Sequence, residues 1–84
     1  MYKYRFTSKS SKEFLKLDRK IQVRIIVKLD FYCANEHITS FAEPLTKFEI
    51  GQYRFRVGEY RIIFDLDRDV LRIVKVGHRK NIYR

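Results

Sequence analysis

Two alternating segments joined by a two-residue turn constrain the fold of this chain more than any other feature. Residues 53–57 alternate aromatic or aliphatic side chains with arginine, and residues 60–66 continue in a strand-like pattern. Gly58-Glu59 between them has glycine first, as a type II′ hairpin turn requires. This turn fixes the register, and the expected pairs are Val57 with Tyr60, Arg56 with Arg61, Phe55 with Ile62, and Arg54 with Ile63.

The predicted register gives the hairpin one apolar face and one face, here called the arginine face, that carries Arg54, Arg56 and Arg61. The apolar face carries Tyr53, Phe55, Val57, Tyr60, Ile62, Phe64 and Leu66. Like charges directly across a strand pair destabilise a sheet. A phosphate that spans the arginines would offset this repulsion, because arginine suits bidentate phosphate contact. The alternative is neutralisation by a carboxylate of the chain itself: Glu59, Asp65 or Glu49.

The front half of the chain predicts one strand and two helices. Residues 2–6 alternate with period two, which indicates a half-buried strand. Ser10 and Glu13 have the spacing of a capping box, which predicts a short helix after them. Asp18 can cap a second helix, whose apolar residues recur on one face and which is expected to end near residues 34–35. Residues 35–50 are predicted to form a loop, with a possible short strand near Lys47 to Ile50.

The back half predicts a third strand, at residues 70–76, whose register the sequence leaves open. A two-residue loop at 68–69 places Lys75 on the apolar face and His78 on the arginine face. A three-residue loop at 67–69 places Lys75 and Arg79 on the arginine face and turns Arg72 inward. A bulge at Gly77 is another way to bring Arg79 there. In each case the order is β-α-α-β-β-β, an α+β fold with an antiparallel sheet and two N-terminal helices packed on one face.

Length and composition exclude several classes of protein. A chain of 84 residues is expected to form one domain over residues 1–84. Its net charge of +9 favours a polyanionic partner. The single cysteine, Cys33, excludes an internal disulfide, and no apolar run is long enough for a transmembrane helix. The N-terminus does not resemble a signal peptide, so we expect no membrane association and a cytoplasmic location.

Two groups of residues contain metal-ligating side chains, but the spacing of neither predicts a metal site. Asp65, Asp67 and Asp69 lack the glycine and the distal glutamate of a calcium loop and lie where a hairpin must turn. Cys33 and His37 have no second pair to complete four ligands. We therefore expect no metal and no other cofactor.

The last third of the chain resembles the RelE/ParE superfamily of toxins from toxin–antitoxin pairs. The resembling segments are Tyr-Arg-Phe-Arg-Val-Gly-Glu-Tyr-Arg-Ile-Ile-Phe, from residue 53, and Val-Gly-His-Arg-Lys-Asn-Ile-Tyr, from residue 76. The two-helix front half, the length and the basic charge agree with that superfamily. The ending favours the RelE branch, whose members are ribosome-dependent mRNA endonucleases. They cut the codon in the A site by attack of a ribose 2′-hydroxyl on the adjacent phosphate, without a metal.

The resemblance implies roles for individual residues. Arg61 and Arg79 would stabilise the scissile phosphate, while Arg54 and Arg56 would orient the RNA. Tyr83 would stack on a base. Lys75 and Lys80 are further candidate RNA contacts.

The general base is open at this stage, because arginine is a poor proton acceptor. His78 ranks first, since its pKa suits the task. The other candidates are Glu49, Glu59, Tyr83 or a group of the ribosomal RNA. The resemblance also implies an acidic, RelB-like antitoxin, with the ribosome and mRNA as partners. Two alternative functions are a ParE-type toxin that inhibits DNA gyrase by protein binding and an RNA-binding module without cleavage.

Overall fold

The computed structural model of this chain describes residues 1–46 and 50–83. Its elements are β1 (Lys3–Phe6), α1 (Ser8–Leu15), α2 (Arg19–Cys33), a 3-10 helix (Ile38–Phe41), β2 (Glu43–Pro44), β3 (Tyr53–Val57), β4 (Tyr60–Asp67) and β5 (Val70–His78). None of the helices among these residues has the length and apolar character needed to cross a membrane.

The strands form one five-stranded sheet in the order β1-β5-β4-β3-β2. The predicted α+β class is confirmed. The two helices come before the three long strands, β3, β4 and β5, of which the first two form the hairpin. The sheet is mixed rather than wholly antiparallel, because β1 pairs with β5 in parallel. The short strand β2 extends the sheet beyond β3.

The β3–β4 hairpin has the predicted register at every position. Arg56 lies opposite Arg61, and Arg54 lies opposite Ile63. Gly58 has a φ of +58°, whereas Glu59 is not among the positive-φ residues, as a type II′ turn requires. The three arginines therefore start from one face of the sheet.

A bulge at Val74 decides the register of the third long strand. The loop before β5 has two residues, since Asp67 pairs with Val70. Phe64 then pairs with Ile73 but Ile63 pairs with Lys75, so Val74 is an extra residue on β5.

A two-residue loop without a bulge predicts Lys75 on the apolar face and His78 on the arginine face. The bulge exchanges the faces of these two residues. Lys75 lies on the arginine face, and His78 pairs with Tyr60 on the opposite side. Arg72, before the bulge, pairs with Asp65 and stays on the arginine face. The prediction of a bulge at Gly77 is wrong by three residues.

Helix α1 begins earlier than the capping-box spacing predicts. Its N-cap is Thr7, whose side-chain oxygen accepts a hydrogen bond from the backbone N–H of Ser10. Ser10 is fully buried inside the helix and donates to the carbonyl of Ile73 at 2.6 Å. Glu13 accepts from the backbone N–H of Val76 at 3.1 Å. Ser10 thus bonds β5 at its last pair with β1, and Glu13 bonds β5 beyond that pair.

Helix α2 has the predicted N-cap position and ends close to the predicted residue. Asp18 occupies the N-cap, although its side chain makes no capping bond, and Ala34 is the C-cap. The apolar face of α2 contributes Ile25 and Leu29, both fully buried, to the core. This core lies between the helices and the apolar face of the sheet, where it includes Phe55, Ile62, Phe64, Leu71 and Ile73.

The predicted loop after α2 holds two short elements, the 3-10 helix and β2. Phe41 in the 3-10 helix stacks on Tyr32 of α2 at 5.0 Å between ring centroids. The strand predicted near Lys47 to Ile50 lies mostly outside the described residues. The strand observed in this region, at Glu43–Pro44, lies earlier and pairs with β3.

Gly51 attaches the segment before β3 to the arginine face. Its φ of +155° falls in a region that favours glycine, and a Cβ there would collide with Cγ2 of the fully buried Ile63. We expect Gly51→Ala to destabilise the protein by about 2 kcal/mol, because it adds both backbone strain and overpacking. Thermal unfolding should then show a midpoint lower by roughly 10 °C.

Gly77→Ala is the matched control for this prediction. A Cβ at Gly77 would lie 3.5 Å from Cδ1 of Ile82, which is an ordinary van der Waals contact. Its unfolding midpoint should therefore stay close to that of the wild type. Equal midpoints for the two variants would contradict the close packing of Gly51 on Ile63.

Candidate functional site

Two arginines of the arginine face share one carboxylate. The short strand β2 pairs with β3 so that Glu43 lies directly opposite Arg54. One oxygen of Glu43 lies 3.2 Å from Arg54 and the other lies 2.8 Å from Nε of Arg56. Tyr83 joins them, since a guanidinium N–H of Arg54 donates to its hydroxyl. We call Glu43, Arg54, Arg56 and Tyr83 the Glu43 cluster.

A groove of about 400 Å³ opens beside the Glu43 cluster. Its wall consists of Pro44, Leu45, Thr46, Ile50, Arg54 and Tyr83. The Tyr83 side chain is half exposed, and the guanidinium carbon of Arg54 lies 5.9 Å from the centre of its ring. The groove thus combines an apolar floor with an aromatic ring and a cation, a combination suited to a nucleobase and its phosphate.

Ile82 anchors the segment that carries Tyr83. After β5 the chain turns, with the N–H groups of Asn81 and Ile82 both donating to the carbonyl of His78. Ile82 is almost fully buried and packs beside Gly77. This anchor fixes the backbone next to Tyr83 and directs its side chain toward Arg54.

A second group of charges surrounds the β3–β4 turn. Arg61 is only 9% exposed and donates from one nitrogen to the carbonyls of Gly58 and Tyr60, each at 2.9 Å. Arg79 places its Nε 3.3 Å from the carboxylate of Glu59, and its backbone N–H donates to the Glu59 carbonyl. Arg61 and Arg79 therefore both contact the turn, one through its carbonyls and one through its carboxylate.

The two arginines hold Glu43 in its ionised form. The hydrogen bond from Arg54 lowers the pKa of Glu43 below the usual 4.5, and the charges of Arg54 and Arg56 act in the same direction against partial burial. A group with a lowered pKa stabilises the fold above its unfolded pKa. These ion pairs are thus fully formed at neutral pH and are lost only as the pH falls below 4.5 through the lowered value.

The remaining predicted site residues lie around these clusters. Lys75 lies on the arginine face, on the far side of Ile63 from Arg54. Lys80 is exposed in the turn after β5, and its backbone N–H donates to Nδ1 of His78. The His78 ring meets Tyr60 edge-on at 5.3 Å between centroids. Its register position, opposite Tyr60, is on the other side of the sheet from the arginines.

The carboxylate that pairs with Arg54 and Arg56 is Glu43, which was not among the predicted candidates. Of the three predicted carboxylates, Glu59 pairs with Arg79 and Asp65 pairs with Arg72. Glu49 lies outside the described residues. One sequence signal for Glu43 is available in retrospect, since Pro44 after it is typical of an edge strand.

Cys33 and His37 lie in different environments, since Cys33 is buried and His37 is exposed. Cys33 is buried, and its burial, together with the charge of Asp30, raises the pKa of the thiol to about 11. The thiol thus stays protonated and unreactive at neutral pH. In residues 1–46 and 50–83, no three His, Cys, Asp or Glu side chains lie close enough together to hold a metal ion.

Comparison with protein-family models gives one match, over residues 4–83. The matching family is described as the ParE toxin of the type II toxin–antitoxin system parDE. The chain belongs to this toxin family. The resemblance to the RelE/ParE superfamily is thereby confirmed, and the protein is a toxin of a toxin–antitoxin system. No curated protein matches the sequence significantly.

Solved structures of RelE toxins share the fold. The toxin–antitoxin complex RelBE2 from Mycobacterium tuberculosis contains a chain with 26% identity and a TM-score of 0.75, over 93% of this chain and 98% of that one. The isolated RelE toxin of E. coli has 21% identity and a TM-score of 0.72, over 93% and 84%. The archaeal RelE–RelB complex from Pyrococcus horikoshii OT3 has 21% identity and a TM-score of 0.72, over 95% and 97%. This likeness is consistent with the RelE branch of the superfamily.

Proposed function

We propose that this toxin is a ribosome-dependent mRNA endonuclease that cleaves codons in the A site. The observation that carries the proposal is the Glu43 cluster beside its groove. Arginines for a phosphate, an aromatic ring for a base and a carboxylate for a proton lie within one hydrogen-bonded group. These are the groups that metal-free cleavage of RNA requires.

The arginines would bind and stabilise the scissile phosphate. Arg54 and Arg56 would exchange the Glu43 carboxylate for phosphate oxygens. A guanidinium binds carboxylate and phosphate groups with the same geometry. Arg79 is exposed and can leave Glu59 to approach the same phosphate. These fixed cations would stabilise the charge that develops on phosphorus. Arg61 is buried against the turn, so we assign it a positioning role that also adds positive charge.

Tyr83 and Glu43 would complete the reaction. Tyr83 stacks on an unstacked base in the groove, which is worth roughly 1–3 kcal/mol. Glu43, released from the arginines, accepts the proton of the 2′-hydroxyl, and that oxygen forms a bond to phosphorus as the bond to the 5′-oxygen breaks. The departing 5′-oxygen takes a proton from water. Glu43 replaces His78 as the first candidate for the general base, because His78 faces the other side of the sheet.

The natural partner in this proposal is an acidic antitoxin similar to RelB, which would cover the arginine face. Two of the similar solved structures are complexes of a RelE toxin with RelB. The net charge of +9 favours an acidic partner. Because mRNA and ribosomes are the proposed targets, the toxin would act in the cytoplasm.

A reconstituted translation reaction tests the proposal. The purified toxin is added to ribosomes paused on a defined message, and primer extension maps the ends of the RNA. We expect cuts within the A-site codon that appear only when ribosomes are present. RNA that is bound but stays intact would instead indicate an RNA-binding module without cleavage.

Inhibition of DNA gyrase is the second candidate, because the matching family is described by the ParE toxin. A supercoiling assay with purified gyrase separates the two candidates. Loss of supercoiling activity together with an intact message would favour gyrase and would contradict the endonuclease proposal. Cleavage of the message with unaffected supercoiling would contradict the gyrase alternative.

A further inference from the structure

The β3–β4 turn is contacted by a third arginine, from the other layer of the fold. Arg24 is an exposed residue of α2, and its guanidinium packs against Gly58. A Cβ added to Gly58 would lie 2.7 Å from an Nη of Arg24. The absent side chain of Gly58 thus makes room for a guanidinium that reaches the sheet from the helix.

Three guanidinium groups therefore converge on three consecutive residues. Arg24 lies against Gly58, Arg61 bonds the carbonyls of Gly58 and Tyr60, and Arg79 pairs with Glu59. We call Arg24, Arg61, Arg79 and Glu59 the turn cluster. One carboxylate faces three cations there, which leaves an excess of two positive charges.

Arg24 is the member of the turn cluster best placed to take a new ligand. Arg61 already donates to two carbonyls, and Arg79, which pairs with Glu59, is the arginine proposed above to approach the scissile phosphate. Arg24 forms no ion pair within residues 1–46 and 50–83. Its guanidinium lies beside Gly58. The position of Arg24 increases the local charge repulsion without neutralising any group, so an anion would stabilise this arrangement.

The distance between the two clusters fits two phosphates that lie a few nucleotides apart on one RNA strand. Arg54 and Gly58 are four residues apart along β3 and its turn, which corresponds to roughly 13 Å at about 3.3 Å per residue. Arg56 lies between them and opposite Arg61, so positive charge continues from one cluster to the other. A single strand held at Arg54 can therefore reach Arg24 within a few nucleotides.

We propose that Arg24 binds a second phosphate of the same RNA strand, beyond the scissile one, at the turn cluster. This inference rests on the proposed RNA-cleaving function and extends it. It also assigns a role to one of the basic residues of the helical layer. Arg24 would lengthen the bound segment from the cleaved dinucleotide to a longer stretch of RNA.

Binding of short and long RNA to purified toxin tests this. The probes are fluorescent single-stranded oligonucleotides of three and eight nucleotides, and anisotropy gives their Kd over a range of salt concentrations. Arg24→Ala should weaken binding of the longer RNA by about 5-fold, as for an exposed ion pair. It should also reduce the dependence of log K on log salt by about 0.7. Binding of the trinucleotide should not change.

Arg19→Ala is the charge-matched control, since Arg19 is an exposed arginine of the same helix that lines a separate groove with Val23 and Val27. Arg24→Lys should retain the salt dependence, because it retains the charge. Equal losses in the Arg19 and Arg24 variants, or no loss in either, would overturn the second phosphate site while leaving the proposed function intact. Failure of the wild type to bind the longer RNA would also overturn the second phosphate site, whereas the proposed function is tested separately by the cleavage assay on ribosomes.

Discussion

Replacing Arg54 by alanine is expected to lower the rate of mRNA cleavage on the ribosome by about 10²- to 10³-fold. Removing one fixed donor from a site of developing negative charge has an effect of that size. Arg54 also holds Tyr83 by a hydrogen bond, so the variant loses the orientation of the base-stacking ring as well. Single-turnover cleavage of a message bound to paused ribosomes measures the rate of the chemical step.

Arg72→Ala is the matched control for this prediction. Arg72 also lies on the arginine face and pairs with a carboxylate, Asp65, at 3.4 Å, but it is not part of the Glu43 cluster. Both ion pairs are partly exposed, so each substitution should reduce the free energy of unfolding by no more than about 1 kcal/mol. Cleavage at the wild-type rate in Arg54→Ala, or equal losses in the two variants, would place the scissile phosphate elsewhere.

The hairpin that carries these arginines could be predicted because its determinants are local. Gly58 accepts the positive φ of the turn at no steric cost, and alternation on both sides determines which residues face the core. Once the turn is fixed, the pairing of Arg56 with Arg61 follows by counting. No information from the remainder of the chain is needed.

The bulge at Val74 could not be predicted because the contacts around it are not local. Ser10 and Glu13 of α1 bond the backbone of Ile73 and Val76, which flank the bulge on either side. These bonds join residues 63 positions apart, and Ser10 enters the helix interior because Thr7 takes the cap. The capping-box spacing of Ser10 and Glu13 is therefore present in the sequence, but both side chains form hydrogen bonds with the backbone of β5.

The role of Glu43 could not be predicted either, because its contacts with β3 are also not local in the sequence. A strand of two residues carries no periodicity, and Pro44 indicates an edge strand without indicating its register, so the pairing of Glu43 across from Arg54 could not be predicted. The sequence favoured a phosphate as the partner of these arginines, and the three carboxylates predicted as alternatives did not include Glu43. The structure identifies that partner as a carboxylate on the neighbouring strand, and this places a proton acceptor inside the proposed site.

Replacing Glu43 by glutamine is expected to separate binding from chemistry. The substitution removes the proposed proton acceptor, which should slow cleavage by about 10²- to 10⁴-fold. It also removes the charge that competes with phosphate for Arg54 and Arg56, so RNA should bind more tightly and with a steeper salt dependence. A purely structural role of Glu43 would weaken binding and cleavage together, which is the outcome that contradicts the proposal.

The pH dependence of the wild type distinguishes Glu43 from His78 as the base. In the free toxin the arginines lower the pKa of Glu43 below 4.5, so its carboxylate is ionised from pH 7.5 to 5.5. The value of kcat/KM, which reports ionisation in the free enzyme, should therefore not fall over that range. A base that titrates between pH 5.5 and 7.5 would instead show a falling rate over that range. His78→Gln provides the complementary variant: it should leave both the rate and the profile unchanged if Glu43 accepts the proton. A loss of activity in His78→Gln, with a rate that falls between pH 7.5 and 5.5 in the wild type, would return the role to His78.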